Sequence, residues 1–178
     1  VSVLLRGTGL PDAIVAVEPD PRMCAYMRKM FEANAVTGVD IIEAAVSVRE
    51  EETIYVREDF WMNGPFAEPN PWSRSIRVEG RSVDSLVSSF SPTIILCDIE
   101  GAEVEAFSAV DLSGVRFVRI EFHDHVTGGG PLARTFDAMH RAGFAYDPRY
   151  SKGAVVHFSN LSVVEAGGLR SYPGKMSS

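Results

Sequence analysis

The sequence predicts an α/β fold built on a mostly parallel sheet, and three features carry that expectation. Short apolar strands alternate with segments of helical periodicity, the pattern of successive βαβ units. The run Ile94-Ile95-Leu96-Cys97-Asp98-Ile99 is almost continuously aliphatic, as in a strand buried on both faces beneath helices. Several apolar runs also end in carboxylates, and the carboxyl ends of parallel strands are where such sheets present ligand-binding groups.

The elements follow in order. Residues 1–5 read as the tail of an apolar element already in progress, broken by Gly7-Thr8-Gly9-Leu10-Pro11-Asp12. Residues 13–17 form the first complete strand, closed by Glu18-Pro19-Asp20-Pro21. A helix is expected over 22–35, with Met23, Met27, Met30 and Phe31 at helical spacing, a pattern that more often marks core packing than a cofactor site. Residues 40–46, 53–57 and 75–79 read as the next strands. Ser82-Val83-Asp84-Ser85-Leu86 opens a short helix ahead of the central strand. Residues 103–110 read as a helix with Val104, Phe107 and Val110 on one face and acidic residues near its positive end. A strand over 115–122, a helix over 132–142 and a closing antiparallel hairpin from 144–147 and 154–158 complete the pattern. One domain is expected over residues 1–160. Residues 161–178 lack apolar periodicity and read as an extension or tail.

Composition narrows the function. With 178 residues, 46% hydrophobic and 23% charged, the chain suits one domain that buries roughly 70% of its unfolded surface. A net charge of -7 and a pI near 5.1 argue against a nucleic-acid partner, which calls for a basic face. Cys24 and Cys97 make no disulfide framework, so a reducing cytoplasm is the expected location. No run reaches membrane-spanning length and no signal peptide is visible.

Three strand ends carry the chemistry: Glu18, the pair Asp98 and Glu100, and Glu121 with His123. Strand periodicity puts Asp98 and Glu100 on one face, where they repel by roughly 4 kcal/mol at an effective dielectric of about 20. A cationic ligand, a metal, a basic side chain or water must offset that. Glu18 can accept both hydroxyls of a ribose, or it can simply open the turn before Pro19. His123 has the side chain whose ordinary pKa lies nearest neutrality and so suits a general base, although His123-Asp124-His125 also fits a solvated loop. Asp98, Glu100, Glu121 and His123 have mixed metal-ligand character, yet no metal is assigned to them, and no zinc spacing of Cys and His occurs. His140 and His157 read as packing or surface residues.

Phe60-Trp61-Met62-Asn63-Gly64-Pro65-Phe66 and Pro69-Asn70-Pro71-Trp72 form an aromatic, proline-rich insertion of the length usually kept for functional loops. Trp61 and Trp72 suit an apolar or ring-shaped acceptor, and the same residues would suit a homodimer contact. Gly128-Gly129-Gly130 reads as a mobile loop beside the acceptor pocket.

Four segments together resemble the FkbM-like S-adenosylmethionine-dependent methyltransferases: Val15-Ala16-Val17-Glu18-Pro19-Asp20-Pro21, Glu43-Ala44-Ala45-Val46-Ser47, Cys97-Asp98-Ile99-Glu100-Gly101-Ala102-Glu103 and Ile120-Glu121-Phe122-His123. Their order and spacing match that family over residues 1 to about 159, and the Asp-x-Glu-Gly-Ala-Glu segment is the most specific. The resemblance implies a Rossmann-like class I methyltransferase fold whose first strand and glycine-rich loop are expected upstream of Val1. It implies S-adenosyl-L-methionine as cofactor, with Glu18 on the ribose, Ala44 and Ala45 beside the adenine, Glu43 near its edge and Asp98 at the junction with the substrate. Asp98 and Glu100 then hold the cofactor amine or orient the acceptor, and His123, Glu121 and Asp98 are the catalytic candidates.

The expected activity is methyl transfer to a hydroxyl oxygen of a small molecule or glycan. An NAD-dependent oxidoreductase is the first rival, because Glu18 serves an NAD ribose equally well. A non-catalytic module that kept the fold is the second.

Overall fold

The computed structural model describes residues 13–56, 73–108, 110–123 and 129–162. Strand β1 (Ile14–Val17) pairs in parallel with β2 (Val39–Ile42), Val17 opposite Ile42. Helix α1 (Pro21–Ala33) connects them. Asp20 is its N-cap and accepts from the Arg22 N–H, while Pro21 occupies a first-turn position where its missing N–H is not needed.

The expected strand over 40–46 divides at Glu43 and Ala44. Beyond that break the chain leaves the β1 ladder and forms β3 (Ala45–Val46), which pairs in parallel with β5 (Arg74–Arg81). Strand β4 (Glu51–Val56) lies antiparallel on the other side of β5. Gly80 of β5 has a specific reason to be glycine: a Cβ there would collide with the Arg49 carbonyl oxygen. Ala45, Ile54 and Val56 form the small core beneath these strands.

The second half holds the larger core. Ser82 caps α2 (Val83–Phe90), its hydroxyl accepting from the Ser85 N–H. Then follow β6 (Ile94–Cys97), α3 (Glu103–Ala106), β7 (Phe117–Glu121), α4 (Gly129–Arg141), β8 (Phe144–Tyr146) and β9 (Val155–Asn160). The strand order is β6-β7-β9-β8, with β6 and β7 parallel and the expected antiparallel hairpin closing the sheet. Val118, Ile120, Phe122, Met139, Phe144 and Phe158 are buried together. Asn160, also buried, donates from Nδ2 to the Val115 carbonyl at 3.0 Å and ties the end of β9 to the approach to β7.

Four expectations are corrected. Among the described residues the ladders are mixed, three parallel and three antiparallel, in place of a mostly parallel sheet. Strand β6 is covered on one face: Ile95 and Cys97 meet the core, while Ile94 and Leu96 are exposed, because the core packs against only one side of it among the described residues. The helix expected over 103–110 is the single turn α3. Ser108 bonds back to the Glu105 carbonyl, an alternative to continued helix, and Phe107, Leu112 and Val115 all turn into the core. Gly129 and Gly130 are not a loop but the first residues of α4, ahead of Pro131. No helix among the described residues is long and apolar enough to cross a membrane.

Candidate active site

The parallel register of β6 and β7 sets Cys97 opposite Ile120, so the segments leaving both strands emerge side by side. Three residues beyond Cys97 lies Glu100, and three beyond Ile120 lies His123. Glu100 and Gly101 both take left-handed backbone angles, φ 54° and 106°, which turn the chain sharply after Ile99. That turn brings Asp98 and Glu100 to the same imidazole. Nε2 of His123 is 3.3 Å from Glu100 Oε2 and 3.8 Å from Asp98 Oδ1.

Behind the imidazole sits Glu103. Its Oε1 lies 2.8 Å from His123 Nδ1 and accepts from the Gly101 N–H at 3.1 Å. Exposure rises from the inside outward, with side-chain values of 1% for Glu103, 12% for His123, 34% for Glu100 and 61% for Asp98. The cluster is therefore anchored in the core and opens to solvent at the two acids. His123 is not a solvated-loop residue.

The electrostatics follow from the crowding of acids. Burial alone would push the His123 pKa down, but the hydrogen bond and charge of Glu103, with Glu100 and Asp98, leave it raised. Glu100 is also raised, first by burial and then by Asp98, Glu103 and Glu121, against the opposing pull of His123. The mutual repulsion expected of Asp98 and Glu100 is thus offset by a basic side chain. The Cys97 thiol beneath them is pushed far up by burial and the neighbouring carboxylates, and stays protonated.

The other candidate residues gather at the ends of β1 and β2. Glu18 continues the ladder through its N–H to Ile42 O at 3.0 Å, and its Oε1 accepts from the Asp20 N–H at 2.8 Å, so it does serve the turn. Burial raises its pKa. Glu43 is exposed and lies 3.6 Å from Arg28 Nη2, while Ala44 and Ala45 are fully buried at the point where the chain changes ladders. Glu121 ends β7 opposite Val155. Trp61, Trp72, Asp124, His125 and Gly128 lie outside the described residues.

One residue of the cluster escaped sequence reasoning. Glu103 looked like an ordinary acidic residue at a helix start, where a carboxylate favours the dipole. Its burial goes with its bonds to the segments that leave β6 and β7, the Gly101 N–H and His123 Nδ1. The available signal was its membership of the same Asp-x-Glu-Gly-Ala-Glu segment as Asp98 and Glu100.

A histidine held by a buried carboxylate thus faces two further acids at the carboxyl ends of parallel strands, the place where α/β folds present ligand-binding groups. A family profile for the methyltransferase FkbM domain matches residues 6–146, most of the chain. The chain belongs to the FkbM methyltransferase family. No curated protein and no solved structure matches it.

Proposed function

We propose that the protein transfers a methyl group from S-adenosyl-L-methionine to a hydroxyl oxygen of a small molecule or glycan, on a class I methyltransferase fold. The observation that carries this reading is the convergence of Asp98, Glu100 and Glu103 on His123 in a chain of a methyltransferase family. The residues at the strand ends fit the cofactor: Glu18 is a half-buried carboxylate at the end of β1, and Ala44 and Ala45 carry nothing beyond a methyl group that would crowd an adenine. When bound, the sulfonium supplies both the activated methyl group and its leaving group.

What remains for the chain is alignment, exclusion of water and removal of one proton. Glu18 holds the ribose hydroxyls, Glu43 stands near the adenine edge, and Ala44 and Ala45 border the ring. Asp98 stands at the junction of cofactor and acceptor, and Glu100 orients the acceptor, with Trp61 and Trp72 as its aromatic contacts. The acceptor hydroxyl gives up its proton to the cluster, where His123, Asp98 and Glu121 supply the basic atoms. Such proton removal contributes about 10²–10⁴-fold in rate.

Calorimetric titration with S-adenosylhomocysteine, with NAD as control, tests the reading. Saturable binding of S-adenosylhomocysteine alone is expected, and Glu18→Ala should weaken it about tenfold or more. Binding of NAD alone would replace methyl transfer by hydride transfer, and silence from both would leave a non-catalytic module.

A further inference from the structure

We propose that Asp98, Glu100 and His123 form a site for a divalent cation of the hard-to-borderline class, with Mn²⁺ as its representative. A carboxylate oxygen from each acid and a ring nitrogen of His123 lie within 4.8 Å of one another. Two ligand atoms each about 2.1 Å from one ion, at octahedral or tetrahedral angles, stand about 3.0–3.4 Å apart. The 3.3 Å separation of His123 Nε2 from Glu100 Oε2 already has that value. The 3.8 Å separation from Asp98 Oδ1 is closed by a small rotation of an exposed side chain.

Two features outside the three ligands point the same way. Glu103 engages Nδ1 of His123 and so directs Nε2 at the acids, which is how a ligating imidazole is held by the shell behind it. Its second oxygen, Oε2, is buried with no hydrogen-bond partner among the described residues, so the carboxylate behind the imidazole keeps unused acceptor capacity. Against these acids one imidazole supplies at most a single positive charge, whereas a divalent cation supplies two. The donor set of two carboxylates and one imidazole leaves coordination positions open. It includes no sulfur donor, so it suits Mn²⁺-like ions rather than a closed structural zinc site.

The use of the ion, though not its binding, rests on the proposed function. Bound there, it would take the acceptor oxygen and lower the pKa of that hydroxyl, whose proton passes to a carboxylate of the cluster or to water as the new oxygen–methyl bond forms.

The test is direct. Mn²⁺ is titrated into chelator-treated protein, free aqueous Mn²⁺ is read by electron paramagnetic resonance, and S-adenosylhomocysteine binding is measured on the same preparation. One saturable site is expected, at least about tenfold weaker in Asp98→Asn and Glu100→Gln and about 10–100-fold weaker in Glu103→Gln. In the unmodified protein, bound Mn²⁺ should broaden the ring resonances of His123 ahead of those of His140 and His157, a readout that needs no variant to fold. No saturable Mn²⁺ binding, affinity unchanged in the amide variants, or broadening that spares His123 would overturn the site. S-adenosylhomocysteine binding without Mn²⁺ binding would remove the cation and leave the methyltransferase reading intact; the converse would do the opposite.

Discussion

Asp20 and Asp147 are buried acids, each held by an arginine two residues further along the chain, whereas the acids around His123 share one imidazole. The triplet Asp-Pro-Arg occurs twice, at 20–22 and 147–149, and builds the same fork both times. Arg22 Nη2 reaches Asp20 Oδ2 at 2.7 Å, and Arg149 Nη2 reaches Asp147 Oδ2 at 2.6 Å. At Asp20 burial pulls upward but the bonds from Arg22 prevail, and at Asp147 the bond from Arg149 leads; both carboxyls are held below their ordinary values. His123 and Glu100 are instead both raised. Charges matched by a sequence neighbour build turns. Charges left over where two strands end, assembled by residues some twenty positions apart, are available for a ligand or a reaction.

The contrast breaks most visibly at Glu103. Glu103→Ala should cut methyl transfer at least about 100-fold, because His123 loses the group that orients it, and should destabilise the fold by about 1–3 kcal/mol through the unpaired Gly101 N–H. Activity assays and thermal melts on one preparation read both.

Asp147→Ala should do the reverse. It lowers stability by about 1 kcal/mol or more, through the bond lost to the Arg149 N–H, and leaves methyl transfer unchanged. A fall in transfer beyond the folded fraction would connect that corner to the site and weaken the contrast.

Acid titration sharpens the same point. Because the folded pKa values of Asp20 and Asp147 lie below the unfolded value of about 3.9, their contribution is complete well above that value. It is lost as pH falls through the folded values. Melting temperature should therefore drop steeply below about pH 4, and less steeply in Asp147→Asn.

The smallest effect is expected at Glu100. Its raised pKa means that its charge costs the folded state, a penalty present at neutral pH, relieved as pH falls through the raised folded value and gone below the unfolded value of about 4.3. Glu100→Gln should leave the melting temperature unchanged or slightly higher at pH 7. A clear drop would show that its attraction to His123 outweighs the repulsion from the other acids.

What the sequence made legible, and what it hid, divides along the same line. Local signals were reliable: the helix expected from residue 22 is α1, starting at Pro21, Ser82 starts α2, and the hairpin of β8 and β9 lies where the apolar runs near residues 144 and 154 place it. Asp98, Glu100 and His123 were visible because strand ends can be counted along the chain. The antiparallel ladder of β4 with β5 was hidden, since periodicity says nothing about which strand pairs with which. So was the collision that reserves residue 80 for glycine, which depends on the Arg49 carbonyl of a neighbouring segment. Glu103 was hidden for the same reason, its partner standing twenty residues away on another strand end.

The central claim, that the His123 cluster is the reaction centre and the β1–β2 ends the cofactor site, is tested most directly by His123→Ala. S-adenosylhomocysteine affinity and methyl transfer from labelled S-adenosylmethionine into a panel of hydroxylated small molecules and glycans would be measured on one preparation. The account predicts affinity within about threefold of the unmodified protein and transfer reduced about 10²–10⁴-fold. Transfer at the normal rate would contradict it.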